Sequence, residues 1–177
     1  MVLRRLLLLL ALASSWLTPA WGADQEAETA RFLQEVYPQP PAPDTLWLAG
    51  ELRAAARGIL EHDYPAARLR YWRSGQRTAW VLEEIGKEMP ITVGIAVDSD
   101  AVERVRVLVY RESRGWEVKN PAFTAQFTGA RLTPAQGLDR RIDGISGATL
   151  SVRALSRLAR LALLLHRQAV AGGASKP

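Results

Sequence analysis

The chain has 177 residues, with 23 Lys+Arg against 18 Asp+Glu, two histidines and no cysteine. That length suits one domain, and the lack of cysteine excludes disulfides, thiol catalysis, iron–sulfur clusters, Cys-type zinc sites and a lipid-anchored lipoprotein. The net charge of +5 comes from arginines dispersed along the chain rather than blocked together, which argues against a nucleic-acid partner.

Residues 1–22 have the layout of a secretory signal peptide. Arg4 and Arg5 precede an apolar run over 6–17, and Ala20-Trp21-Gly22 puts small residues where a signal peptidase reads. Cleavage after Gly22 is expected, with retention as a membrane anchor as the alternative; the run is short beside the ~20 apolar residues of a membrane span. Removing 22 of the 177 residues leaves 155, with 21 Lys+Arg against the same 18 acids and a net charge of +3. The expected location is the periplasm, free or associated with the membrane.

Residues 23–66 read as an N-terminal helical segment. A short helix is predicted over 23–37, with Ala27, Ala30, Phe32, Leu33 and Val36 on its apolar side. Pro38, Pro40, Pro41 and Pro43 form an extended linker that a helix cannot cross. Asp44 or Thr45 is placed to cap a second helix over 46–62, whose apolar positions Leu48, Leu52, Ala55, Ala56, Ile59 and Leu60 recur at helical spacing. Neither helix carries recognisable chemistry.

Residues 67–170 read as the functional domain. Predicted strands 68–73 and 78–85 flank the turn Ser74-Gly75-Gln76. Ile91, Val93, Ile95 and Val97 then alternate with Thr92, Gly94, Ala96 and Asp98, which puts the aliphatic residues on one sheet face. The turn Asp98-Ser99-Asp100 leads to a returning strand with Val105, Val107 and Val109. About four strands joined by short turns, packed with helices, predict an α+β fold with an antiparallel sheet. Beyond a polar stretch over 111–119, Asn120 is set to cap a short helix over 121–127 with Pro121 at its first position. A loop over 130–142 brings Arg131, Arg140 and Arg141 towards the last helix. That long helix, predicted over 150–168, carries Leu150, Ala154, Leu158, Leu161 and Leu165 on one side and Arg153, Arg157, Arg160 and Arg167 on the other. The arginine stripe reads first as a solvated face, and residues 171–177 as a disordered tail.

Familiar catalytic constellations do not fit. Neither His62 nor His166 lies near a Gly-x-Ser-x-Gly elbow, and two histidines without cysteine make a poor transition-metal set. Glu83 and Glu84 are adjacent in a strand and therefore point to opposite faces. No dinucleotide-binding or Walker loop occurs. No catalytic group and no metal site are predicted. Among the tryptophans outside the signal, Trp72 and Trp80 suit core packing, whereas Trp116 in a polar loop suits stacking on a ligand.

The richest stretch is Asp143-Gly144-Ile145-Ser146-Gly147-Ala148-Thr149. Two glycines permit a tight turn, and the hydroxyls of Ser146, Thr149 and Ser151 cluster where a helix begins, among N–H groups that lack intrahelical partners. Such a helix start suits a phosphate. It equally suits an ordinary hydroxyl N-cap, the plainer reading of the same residues.

This stretch resembles the flavinylation motif of the FMN-binding domain family, which includes the covalent-FMN subunits of the Na+-translocating NADH:quinone reductase and the Rnf complex. The motif is Asp, two variable residues, Ser or Thr, Gly, Ala, then Thr or Ser, and each constrained position is met here. The resemblance extends over about residues 78–168. Tyr110-Arg111-Glu112-Ser113-Arg114-Gly115 is similar to the family's Glu-Thr-Pro-Gly loop, with Ser113 where the family has Thr and Arg114 where it has Pro. Phe123 to Gly129 is similar to the aromatic-to-glycine segment that follows. The resemblance implies one FMN joined through its phosphate to Thr149 by a separate flavin transferase that uses FAD and Mg2+. Asp143 would help position the motif or the metal during transfer, and Ser146, Gly147 and Ala148 would complete the motif, the last two being small enough to admit the transferase. Glu112, Ser113, Trp116, Phe123 and Phe127 would be candidates for the flavin pocket. The function so implied is electron transfer with a membrane-bound redox partner, and, if the protein is an enzyme at all, FMN-dependent oxidoreduction. Two other readings stay open: a sensory module holding a phosphate-bearing ligand or flavin non-covalently, and a structural accessory domain whose arginine face docks on an acidic partner or anionic lipid.

Overall fold

The computed structural model describes residues 20–172. The predicted signal peptide and tail lie outside these residues except for positions 20–22 and 171–172, which belong to the first and last helices. In chain order the elements are α1 (Ala20–Val36), β1 (Pro43–Trp47), α2 (Gly50–Leu60), β2 (Arg68–Ser74), β3 (Arg77–Ile85), β4 (Pro90–Asp98), β5 (Ala101–Val109), α3 (Pro121–Thr124) and α4 (Thr149–Gly172). Short 3-10 turns lie at Trp116–Lys119 and Ala125–Phe127. The five strands form one antiparallel sheet in the order β1-β2-β3-β4-β5, so the expected α+β architecture is present with one strand more than the four predicted.

The added strand replaces the start of the predicted second helix. Leu46 pairs with Leu69 and Trp47 with Arg68, and the Leu48 N–H continues the ladder to the Ala67 carbonyl at 2.9 Å. Pairing along the sheet overrides the helical spacing of these residues, and Pro43 is tolerated because it is the first residue of an edge strand. The helix therefore starts at Gly50 and ends at Leu60, with Glu61 in the left-handed region at φ 68°. His62, expected inside the helix, follows it.

Both faces of the sheet are covered. Ile91, Val93, Ile95 and Val97 point to one face, where they meet α2 and the Leu155, Leu158, Leu161 and Leu165 side of α4. The opposite face packs under α1, through Phe32, Leu33, Val36 and Tyr37 against Trp72, Ala79, Ala96 and Leu108. Gly94 makes the fit possible, because a Cβ there would stand 2.8 Å from the Phe32 ring. Phe32 is fully buried, a stabilisation of about 1.5–3 kcal/mol. Residues 23–66 thus contribute a helix to each face and a strand to the sheet edge.

The β4–β5 turn has Ser99 and Asp100 both at positive φ, the form that matches the twist of an antiparallel pair. Asn120 caps α3 as predicted, its side chain accepting from the Ala122 N–H at 2.9 Å, with Pro121 at the first position. α4 runs 24 residues, through Gly172. Among the described residues no helix is long and apolar enough to cross a membrane.

Candidate functional site

The Asp143–Thr149 stretch forms the turn that starts α4. Gly147 takes φ 78°, a conformation open to glycine, and has no neighbour within 4 Å of where a Cβ would stand. The Ala148 N–H bonds the Ile145 carbonyl, and the Ala148 carbonyl accepts the helix's first bond from Val152, each at 3.0 Å. Ala148 is therefore the N-cap residue and Thr149 the first residue inside the helix. An alanine caps nothing. Among the described residues, the hydroxyls of Ser146 and Thr149 make no hydrogen bond, and both residues are exposed. The ordinary capping explanation for these hydroxyls therefore does not apply.

Two anchored loops face this turn. Glu112 reaches across to the β3–β4 connection, where its Oε1 accepts the N–H groups of Lys87, Glu88 and Met89 at 2.5, 2.8 and 3.0 Å. Partial desolvation would raise its pKa, but the three backbone donors and the Lys87 charge outweigh it and hold the carboxyl below its ordinary value. Gly86 leaves room for this contact, since a Cβ there would sit 2.7 Å from Glu112 Oε1. On the other side, Gly115 at φ 81° packs against the helix start, where an added Cβ would meet the Ala148 Cβ at 3.0 Å. Ala148 is itself buried, and its small side chain suits this packing.

Between the loops and the turn lies a cleft of about 590 Å³, lined by Lys87, Glu112, Ser113, Arg114 and Gly147 to Ser151. An adjoining cleft of about 270 Å³ shares Ser113, Arg114 and Gly147 and adds Trp116 and Ser146. Thr149, Gly147, Ala148, Ser146, Glu112, Ser113 and Trp116 are therefore brought together around these two clefts. Trp116 stands 64% exposed at the rim and Leu150 41% exposed, so Leu150 does not share the buried side of α4 assigned to it. Phe123 is not brought to the cleft: it packs edge-on against the fully buried Phe127 at 5.9 Å, inside the core. The Asp143 side chain is exposed and lines neither cleft; its backbone N–H donates to Gln126 Oε1 at 2.8 Å.

Lys87 joins the site without having been singled out for it, and Ser151 joins it as well. Lys87 stood in a segment read only as a connection. Ser151 carried a signal as one of three clustered hydroxyls, although it is buried where the other two are exposed.

Other polar clusters serve the fold. A cleft of about 510 Å³ beside β5 is lined by Glu28, Glu35, Arg104 and Arg106, whose charges are matched: Arg106 pairs with Glu35 and with Glu28 at 2.9 Å. The arginines of α4 are not a uniformly solvated stripe. Arg157 pairs with Glu61 and lies 3.8 Å from the buried Glu84. Arg160 donates to the Gln136 carbonyl and Arg167 to the Leu132 carbonyl. Glu84 also meets His62 Nε2 at 2.9 Å while Glu83 bonds Thr92 from the opposite face, so the two carboxylates diverge as expected. The Asp63 carbonyl, and after it Glu84, raise the pKa of His62. Among the described residues no cluster of His, Asp or Glu has a metal-holding arrangement.

Residues 86–164 match the model of the FMN-binding domain. The match begins at the glycine behind Glu112 and ends within α4, so it contains every residue lining the larger cleft. The fold is similar to the crystal structure of Shewanella oneidensis NqrC, with a TM-score of 0.62 and 15% identity over 82% of this chain and 98% of that one. Among curated proteins none matches the chain.

Proposed function

We propose, from the premise that residues 86–164 belong to the FMN-binding domain family, that this protein carries FMN joined through its phosphate to Thr149 and serves as a periplasmic electron carrier. The observation that carries the reading is the Thr149 hydroxyl: exposed, capping nothing, and lining a cleft of about 590 Å³. That volume falls inside the range of about 300–1,000 Å³ common for cofactor sites. The N–H groups of Thr149, Leu150 and Ser151 lack intrahelical acceptors and suit a phosphate. Lys87 and Arg114 at the rim add positive charge, and Ser113 adds a hydroxyl. When bound, FMN supplies a ring that takes up and releases electrons.

In the attachment step Thr149 Oγ1 gives up its proton and bonds to the phosphorus of the FMN half of FAD, and AMP leaves. A threonine hydroxyl is a weak nucleophile, so a flavin transferase with Mg2+ supplies the activation. Export rests on the signal-peptide pattern of residues 1–22. The membrane-bound redox partner is supported by the apolar rim of the site. Leu150 and Trp116 are exposed at the two clefts, and Ile85 and Met89 are exposed at the ends of the β3–β4 connection that carries Lys87, whereas Trp47, the other large exposed apolar side chain among the described residues, lies beneath Arg68 on β1. Exposed apolar groups gathered at one place mark a contact surface. Replacing Trp116 and Leu150 together by alanine should slow electron exchange with native membranes about tenfold while attachment proceeds. An equal exchange rate would remove the rim from the docking surface.

Protein co-expressed with a flavin transferase should gain the mass of one FMN, less water, on the peptide containing Thr149. Its fluorescence should survive SDS denaturation, and Thr149→Ala should abolish both signals. Flavin that is released by SDS would mean non-covalent binding. A Thr149→Ala protein that stays fluorescent would place the bond elsewhere.

A further inference from the structure

Thr149 is held by its neighbours rather than by contacts of its own. The Tyr110 hydroxyl lies 2.5 Å from the Arg114 carbonyl oxygen and 3.0 Å from Ser151 Oγ. A carbonyl cannot donate, so the single phenol proton goes to Arg114, and Ser151 must donate to the phenol oxygen. Ser151 is buried at two residues past Thr149, and Ala148 is buried one residue before it. Ala148 in turn packs on Gly115, and a Cβ at Gly115 would stand only 2.8 Å from the same Tyr110 hydroxyl. One oxygen atom thus joins the end of β5, the 111–115 loop and the first turn of α4, around an acceptor that is itself exposed.

We propose that Tyr110 is the positioning residue of this site: through Ser151 and the Arg114 carbonyl it holds the Thr149 hydroxyl in register with the loop that forms the opposite wall of the cleft. It touches no reacting atom. Its hydroxyl sets how often Thr149 presents itself in the geometry that accepts the phosphoryl group, and how firmly the loop bearing Ser113 and Arg114 lies against the first turn of α4. This inference rests on the covalent-FMN reading for its consequence, although the clasp itself exists without flavin.

Tyr110→Phe removes the hydroxyl and keeps the ring. Tyr64→Phe is the comparison, because the Tyr64 hydroxyl also holds a backbone group, the Glu83 N–H at 3.1 Å, with no contact to the motif. With purified transferase, FAD and Mg2+, well below each melting temperature, Tyr110→Phe should take up flavin about tenfold more slowly than wild type, and Tyr64→Phe at the wild-type rate. Ser151→Ala should be slowed likewise, and the Tyr110→Phe/Ser151→Ala pair no further than Tyr110→Phe alone. Once loaded, Tyr110→Phe should differ from wild type in the visible circular dichroism of the flavin. Hydrogen exchange on the flavin-free proteins tests the clasp independently: amides 148–152 should exchange faster in Tyr110→Phe and as in wild type in Tyr64→Phe. Wild-type uptake and exchange in Tyr110→Phe, or equal slowing by Tyr64→Phe, would overturn the proposal. If wild-type protein takes up no flavin, the covalent reading fails, and unchanged exchange in Tyr110→Phe would separately refute the clasp.

Discussion

The two ends of the sheet use their polar groups differently. At the end holding the 75–76 and 99–100 turns, polar side chains close the structure. Trp80 Nε1 donates to Thr78 Oγ1 at 2.9 Å, and Thr78 lies 2.8 Å from His166 Nδ1, all three residues buried. Burial lowers the His166 pKa, against the nearby Asp100 and Asp98 charges. Arg73 fastens the last turns of α4 by donating to the Ala169 carbonyl at 2.8 Å. At the opposite end, Glu112 and Tyr110 hold loops, while the hydroxyls of Ser146 and Thr149 and the side chains of Trp116 and Leu150 are left exposed. The first end stabilises. The second spends its contacts on shaping a cleft and leaves free the groups that a ligand and a partner would engage.

The contrast can be broken at several strengths. Thr149→Ala should eliminate covalent flavin while moving the melting temperature by about 1–2 °C at most, since exposed substitutions usually stay within about 0.5 kcal/mol. A larger loss of stability would mean that Thr149 belongs to the fold after all. Thr78→Val, at the other end, should destabilise by about 3 kcal/mol, because it strands the buried Trp80 N–H and His166 Nδ1. Flavin uptake below the melting temperature should stay at the wild-type level; reduced uptake there would couple the two ends. Gly115→Ala should do both kinds of damage, costing about 1–3 kcal/mol through its positive φ and slowing flavin uptake by lifting the loop off Ala148. Urea titration together with uptake rates would separate the two effects.

The smallest expected effect concerns His62 at the Glu84 cluster. Its folded-state pKa is raised, first by the Asp63 carbonyl and then by Glu84, so the stabilisation is complete below the unfolded value near 6.5 and is lost as pH rises through the folded value. The His62 side chain is 45% exposed, which screens the pair. The melting-temperature gap between wild type and His62→Gln should be about 2 °C at acidic pH and close above neutrality. A gap that widens with pH would refute this assignment.

Much of the architecture could be read from local pattern. The hairpin turns, the Asn120 cap with Pro121 and the long last helix each rest on short-range chemistry that residues carry with them. Residues 43–47 misled because a strand at a sheet edge is decided by its partner, and the spacing of Leu52, Ala56, Ile59 and Leu60 fits a helix whether it starts at Leu46 or Gly50. The α1 face of the sheet left a quieter sign in Gly94, Ala96 and Ala79, small residues where an exposed face would carry polar ones. Phe123 looked like a flavin contact because its segment resembles the family's; packing with Phe127 takes it into the core instead.

For the site, the sequence by itself determined the motif and its place before a helix, because these follow from contiguous residue types. Only the tertiary structure decided which hydroxyls are free: those of Ser146 and Thr149 are, that of Ser151 is not. Ser146, Thr149 and Ser151 are equivalent candidates in a line of text, but a helix turns its residues about its axis. That rotation buries Ser151 against Tyr110, and Thr149, between two anchored neighbours, keeps its oxygen exposed at the cleft. The clasp joins positions 110, 114, 115, 148 and 151, and no local pattern could announce contacts made across such distances in the chain.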